Sequence, residues 1–381
     1  MPARLDARER RTPARRQRSM GKLDEANDTQ GNGDGVSRRG FLGTAAAASA
    51  AIGVGLTEGT ASAGTTPTFA ASLPAGFSPM SAPGKIVKVA RAGSLQENGL
   101  YPKPDAAKAM LEKAMLELTG QKSLGAAFAR FVHKDDKVAV KLNGIAKGKK
   151  FGTNKELVDV ILAGLIESGV PATSIVVYEQ YNSFLAGTRV DASNVPTGVR
   201  TMVHNNKEMG TPKIDILDGK RAIPTQFAKA MMDATAVINV SLIKDHAICG
   251  YTGCLKNMTH GSTANPHDFH EHHASPQIAK LYAHEAIKSR VRLHITDGYK
   301  IMYDGGPVEV RSFVPHEAVY VTTDPVAMDS YGYKLVDDLR VSKGMKTLKD
   351  AGREPGYIAA AADLGLGIAD RAKIVLKEFT I

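Results

Sequence analysis

Residues 137–178 carry a pattern that few folds accommodate. Lys137-Val138-Ala139-Val140-Lys141-Leu142 reads as an apolar strand that runs into Asn143-Gly144. A helix then spans Asn154 to Ser168, capped by Thr153 and closed by Gly169, and Ser174 to Tyr178 is a second β-branched strand. A strand, a helix and a strand within roughly 40 residues are the βαβ unit of a parallel sheet. The rhythm extends in both directions. Strands are expected at Lys85–Ala90, Gly198–His204, Lys213–Leu217, Ala236–Leu242, Val291–Thr296, Ala318–Thr322 and Ala372–Phe379. Helices are expected at Asp105–Leu118, Pro224–Met232, Gln277–Lys288, Pro325–Leu339 and Tyr357–Leu364. Ile243–Ser275 reads as an irregular, histidine-rich segment and Asp297–Pro315 as a Gly/Pro-containing loop. The expected architecture is a doubly wound, mostly parallel α/β sheet with helices on both faces. It forms one domain over 85–381, and ligands go to the carboxyl ends of the strands.

Residues 1–63 stand apart from this pattern. Arg38-Arg39 precedes a short, alanine-rich apolar run from Phe41 to Leu56, and Ala61-Ser62-Ala63 is a small-x-small cleavage site. This reads as a twin-arginine export signal, and its partner is the twin-arginine translocase. The expected destination is the periplasm or the extracellular space. Translation from Met20 would give a leader of more ordinary length. The run is too rich in alanine and glycine to be a stable membrane span, which needs about 20 strongly apolar residues. Residues 64–84, rich in Thr, Ser, Pro and Ala, read as a flexible lead-in.

The formal charge is +10, and the leader's 10 basic and 7 acidic residues leave most of it on the remaining chain. No basic stripe interleaves with aromatic residues, which excludes nucleic acid as the expected partner. A mild positive bias suits small anions. The chain has no tryptophan for stacking sugars. Its only two cysteines, Cys249 and Cys254, exclude a self-contained iron–sulfur cluster. They leave three options open: one disulfide, metal ligation, or two buried thiols.

Two clusters carry chemistry. One is the dense run His267-Asp268-Phe269-His270-Glu271-His272-His273, whose imidazoles and carboxylates suit a transition metal or, equally, a solvated polar loop. The other follows the strand at 236–242. Lys244 and His246 leave it, and Thr252, Gly253, Lys256 and Asn257 follow in a turn. Charged residues at a strand's carboxyl end, followed by glycine turns, are where an open α/β sheet builds its site. Gly253 permits close backbone approach, and amides at a helix start attract an anion. Asn143, His246, Asp297 and Asp324 each follow an apolar strand and are expected along one edge of the sheet. Asp324 before Pro325 reads as a helix cap; Asp297 and Asp329 read equally as caps or as ligands and orienters. Gly144–Lys150 has the wrong spacing for a phosphate loop and reads as a basic, mobile loop beside the site.

These residues carry a resemblance. Lys244-Asp245-His246 after Asn239-Val240-Ser241-Leu242-Ile243, then Thr252-Gly253-Cys254-Leu255-Lys256-Asn257, resembles the family called domain of unknown function 362. Val140-Lys141-Leu142-Asn143 resembles its Lys-x-Asn strand end. Asp297-Gly298 with Gly305-Gly306-Pro307 resembles its Asp-Gly and Gly-Pro loop, and Asp324-Pro325-Val326-Ala327-Met328-Asp329 its helix start. The chain departs from the pattern at Leu142, where the family usually has Pro, and at His260, which stands before Gly261. The resemblance implies a fold and a site but no reaction.

Three functions fit the sequence. The first is a metal-dependent enzyme acting on a small anionic substrate, with Lys244, His246 and Lys256 in catalytic roles and Asn143, Thr252, Gly253 and Asn257 binding the ligand. Its transition metal ion would be held among His246, His267, His270, His272, His273 and Asp297. The second is a non-catalytic metal- or anion-binding protein of the cell envelope. The third is a maturation factor for another exported enzyme. The strand-end pair His246 and Lys256 is expected to matter more than His270, His272 and His273.

Overall fold

A computed structural model describes residues 68–381 except 147, 219 and 220; the twin-arginine segment lies outside the described residues. In chain order the strands are β1 (Lys85–Ala90), β2 (Val138–Lys141), β3 (Ile175–Glu179), β4 (Arg200–Val203), β5 (Ile214–Asp218) and β6 (Arg221–Thr225), followed by β7 (Ala236–His246), β8 (Gly250–Thr252), β9 (Val291–Asp304), β10 (Ser312–Thr322) and β11 (Val375–Thr380). The helices are α1 (Pro104–Thr119), α2 (Leu124–Phe128), α3 (Lys155–Glu167), α4 (Asn182–Gly187), α5 (Lys229–Met232) and α6 (Cys254–Thr259), followed by α7 (Glu271–Ala274), α8 (Gln277–Ala283), α9 (Glu285–Lys288), α10 (Pro325–Ser342) and α11 (Tyr357–Asp363).

The main sheet runs β11-β1-β10-β9-β7-β2-β3-β4, with β8 attached to β7. Five pairs along this path are parallel: β3 with β2 and with β4, β7 with β2 and with β9, and β1 with β11. Every residue of β7 is buried, as a central strand covered on both faces requires. Helices α1, α2 and α3 cover one face with a core that includes Val87, Met110, Phe128 and Leu162. Helices α6, α8, α10 and α11 cover the other, around Ile243, Leu255, Ile278 and Met328. This is the expected α/β architecture with helices on both faces.

Several stretches depart from expectation, among them Ile243–Ser275, which holds the end of β7, β8 and α6 in place of irregular chain, and Gln277–Lys288, which is two helices. The Gly/Pro segment after Thr296 is not a loop. β9 continues to Asp304, and β10 returns antiparallel beside it across two irregularities in register. Pro224 does not start a helix; it lies in β6 of the separate β5–β6 hairpin, opposite Asp215. Proline is tolerated there because a two-stranded ribbon is all edge. Residues 68–84 contain no regular element, yet Phe69 N donates to Glu285 and Met80 N to the Arg130 carbonyl.

The topology places the site. From β2 the chain moves outward through β3 and β4, then returns to β7 on the other side of β2. The β2–β7 junction is the switch point, the place where an open α/β sheet generally takes its ligand, at the strands' carboxyl ends.

Candidate functional site

Strand β7 projects past its neighbours. Lys141, the last residue of β2, pairs with Asn239, so Leu242 to His246 extend beyond the end of β2. Strand β8 folds back on this extension and sets Thr252 opposite Lys244. Helix α6 then brings Lys256 and Asn257 over the junction.

An amide relay ties the two strands together. Asn239 Nδ2 donates to the Cys254 carbonyl at 2.9 Å, and Asn257 Nδ2 to Asn239 Oδ1 at 2.7 Å and to the Val240 carbonyl at 3.1 Å. Asn143 Nδ2 donates to Asn257 Oδ1 at 3.2 Å. Asn143 therefore sits where the sequence suggested, but Asn257 acts as a strut between strands.

The crevice is cationic. Lys141 Nζ lies 3.1 Å from Glu179 Oε2, both groups buried, and donates to the Leu142 carbonyl. Lys244 Nζ donates to the Ile145 carbonyl. Burial and then the neighbouring Lys256 pull the Lys244 ammonium down to about 7, against the opposing pull of Glu179. Burial also lowers Lys256, with Cys249 opposing. Lys256 is buried, and its ammonium has no hydrogen bond or ion pair among the described residues.

Four side chains surround that lysine. One potential ligand atom each from His246, Cys249 and His270 lie within 4.8 Å of one another, a spacing compatible with holding a metal ion. The rings of His246 and His270 stack at 5.5 Å, and His260 meets His270 edge-on at 4.6 Å. All three imidazoles are held neutral by burial first and then by Lys256, His270 down to about 4. The Cys249 thiol is raised by burial, with Lys256 opposing.

The two candidate histidine ligands differ in tautomer. His270 Nδ1 faces the Pro266 carbonyl at 2.9 Å and must donate, which frees the Nε2 lone pair, as in many metal sites. His246 Nδ1 receives the amides of Ile248 at 3.1 Å and Cys249 at 3.2 Å, so its Nε2 carries the hydrogen. His246 offers Nε2 to a metal only after that proton moves to Nδ1 and the amides turn away.

Other expected residues lie elsewhere. His272 and His273 are exposed, with φ of 50° and 59°, and His273 Nδ1 donates to the Ile248 carbonyl. His267 is exposed, its ring 6.2 Å from that of His270. None of these three belongs to the close trio, because the chain turns left-handed after Glu271 and carries the later imidazoles outward. Asp297 does not join it either. It lies mid-strand opposite Leu242, where it accepts hydrogen bonds from Asn154 N and Nδ2 and so anchors the start of α3. Asp324 caps α10 through Val326 N and Ala327 N. It sits at the opposite edge of the sheet from His246, because β10 runs antiparallel to β9. The first amides of α6 are not free for an anion. Asp329 accepts them from Cys254 N at 2.5 Å and Leu255 N at 3.0 Å, and it is this carboxylate that excludes a side chain at Gly253.

A cleft of about 330 Å³ at the other ends of β2 and β3 is lined by Lys137, Ser174, Arg200 and Asp233. It is remote from all of this chemistry.

The profile of the family described as Domain of unknown function (DUF362) matches residues 138–334, more than half of the chain. The chain belongs to this family. The match to domain of unknown function 362 begins at β2 and ends within α10, so it spans the switch point, the relay and the trio. No curated protein matches the chain.

Sequence reasoning passed over Glu179, Cys249 as a member of the trio, and His260. Glu179 had an available signal, since it ends β3 as Asn143 follows β2, in adjacent parallel strands. The alignment of Cys249 with His270 had none, because it depends on how β8 folds back.

Proposed function

We propose that this protein is a metal-dependent enzyme acting on a small anionic substrate at the carboxyl ends of β2 and β7. The observation that carries the reading is the trio His246, Cys249 and His270 gathered around the unpaired, buried Lys256. Two imidazoles and a thiol form a donor set suited to zinc, iron or copper. Three protein ligands leave room in a four-coordinate shell for a substrate atom, which favours turnover over storage. A bound ion would supply Lewis acidity. Lys256 would hold the anionic group against it, and neutral His260 would lie beside both. The sequence of residues 37–63 supports export by the twin-arginine route as part of the same reading; among the described residues no helix is long and apolar enough to cross a membrane.

The test is elemental analysis of the purified protein followed by substitution with cobalt(II). The expected result is one ion per chain with a thiolate-to-cobalt charge-transfer band that disappears in Cys249→Ser. Protein that retains no ion after dialysis, or a spectrum unchanged in Cys249→Ser, would overturn the metal assignment.

A further inference from the structure

The crevice holds unsatisfied groups of two opposite kinds, and together they define a ligand more narrowly than charge alone. We infer that it binds a small oxyanion bearing a neighbouring hydroxyl group, with the anion on Lys256 and Lys244 and the hydroxyl on Asn143. The inference rests on the reading of this crevice as the substrate site, but not on its metal.

The anionic half follows from a charge inventory. Among the described residues, Lys141, Lys244 and Lys256 converge here, and Glu179 is in contact with Lys141 alone, acting on Lys244 only through space. The other acids nearby are committed. Asp245 pairs with Arg353 at 2.6 Å and accepts from Gly306 N, Asp297 is bound by Asn154, and Asp329 by the start of α6. Two buried lysines thus face each other without a counterion, an arrangement that costs free energy until an anion enters.

The hydroxyl half follows from the relay. The carbonyls of Cys254 and Val240 can only accept, so they fix the amide orientation of Asn239 and Asn257 and, through them, that of Asn143. The relay leaves Asn143 Oδ1 as its free end, buried and without a partner. A carbonyl oxygen cannot satisfy an oxyanion. It needs a donor, and so the ligand must bring an O–H or N–H. Thr252 Oγ1, opposite Lys244 across β7 and β8, is likewise buried and unpartnered and can serve either part. Leaving such atoms unpaired is costly, and a hydroxylated ligand recovers that cost.

Matched pairs of probes test the inference by isothermal titration on the whole protein, with and without chelation of metal. Glycolate against acetate, and 2-hydroxyethyl phosphate against ethyl phosphate, differ only in the hydroxyl, and the two pairs separate a carboxylate from a phosphate headgroup. The expected result is at least tenfold tighter binding of the hydroxylated member of one pair. Asn143→Leu should remove that preference, and Thr252→Val should reduce it if Asn143→Leu fails to fold. Lys256→Met should weaken both members at least tenfold. Equal affinity within both pairs, no binding of any probe, or affinity unchanged in Lys256→Met would overturn the inference. Binding that survives chelation would uphold this subsite even if the protein carries no ion, whereas loss of the metal alone would overturn only the proposed metal dependence.

Discussion

Gly306→Ala should damage the site from outside it. Gly306 lies against the end of β7, where its N–H donates to Asp245 Oδ2 at 3.1 Å and its carbonyl accepts from Ala247 N at 2.9 Å. A Cβ there would stand 2.7 Å from the Asp245 carbonyl carbon, closer still to its oxygen, and 3.3 Å from Met302 Sδ. Comfortable carbon contacts begin near about 3.5 Å, so backbone must move from backbone by roughly 1 Å. No rotamer change relieves this. Overpacking of this kind costs about 1–3 kcal/mol. The two hydrogen bonds that span the gap are worth about 1 kcal/mol each. The total of about 3–5 kcal/mol corresponds to a fall in Tm of about 5–8 °C for a chain of this size. Gly352→Ala is the control. Its φ is +73° and nothing lies within 4 Å of its Cβ, so it carries only left-handed strain of about 1–2 kcal/mol. Differential scanning calorimetry compares the two, and cobalt titration reads the trio, since the moved strand end carries His246. If Gly306→Ala melts no lower than Gly352→Ala and binds cobalt as tightly as the parent, the strand end is not pinned in the way argued.

Three other outcomes are expected. His246→Ala and His270→Ala should each weaken cobalt binding at least about tenfold, roughly 1.4 kcal/mol, while the double change of His272 and His273 to Ala leaves the tight phase intact; titration showing the reverse order would move the centre to the outer loop. Cobalt affinity should rise about tenfold per pH unit between about pH 6 and 8, measured against a chelator. Its imidazoles are already neutral there, His270 down to about 4, so the proton displaced is that of the raised Cys249 thiol; a twofold steeper slope in log units would mean that the histidines also release protons. Replacing Arg38 and Arg39 with Lys should leave the precursor uncleaved in the cytoplasm, and mass spectrometry finding normal processing near Ala63 would refute the export reading.

The parallel half of the sheet was legible because β2, β3 and β7 are continuous apolar runs and the intervening α3 shows a clear helical period. The β9–β10 hairpin was not. Gly298, Gly305, Gly306 and Pro307 look like loop residues, but Gly298 lies in a strand where Ala318 and Tyr320 leave no room for a side chain. That hairpin reverses the chain and carries Asp324 away from the edge it was expected to share. At the site, Lys244, His246, Lys256 and Asn143 could be placed because each follows a recognisable strand or sits in the turn after one. Membership in the trio of His246, Cys249 and His270 could not. His267, His270, His272 and His273 are equivalent in composition, and only the left-handed backbone after Glu271 selects His270. Gly253 was read as a point of close approach, but that the group approaching it is Asp329 could not be read, since Asp329 lies 75 residues downstream of the Cys254 amide it binds.

That long-range cap has a consequence for how the protein is assembled. The helix bearing Lys256 and Asn257, with His260 just past its end, cannot satisfy its leading amides until α10 has been synthesised and docked. Loop closure across such a span comes late in folding, after local contacts have formed. On an emerging chain the β2–α3–β3 unit, with Lys141 and Glu179, has all its elements first. The crevice wall opposite follows only when Asp329 arrives. On the proposed reading, capture of an ion or an anion would therefore be a last step, gated by the completed fold, and a chain truncated before α10 would display the same lysines and histidines without the site.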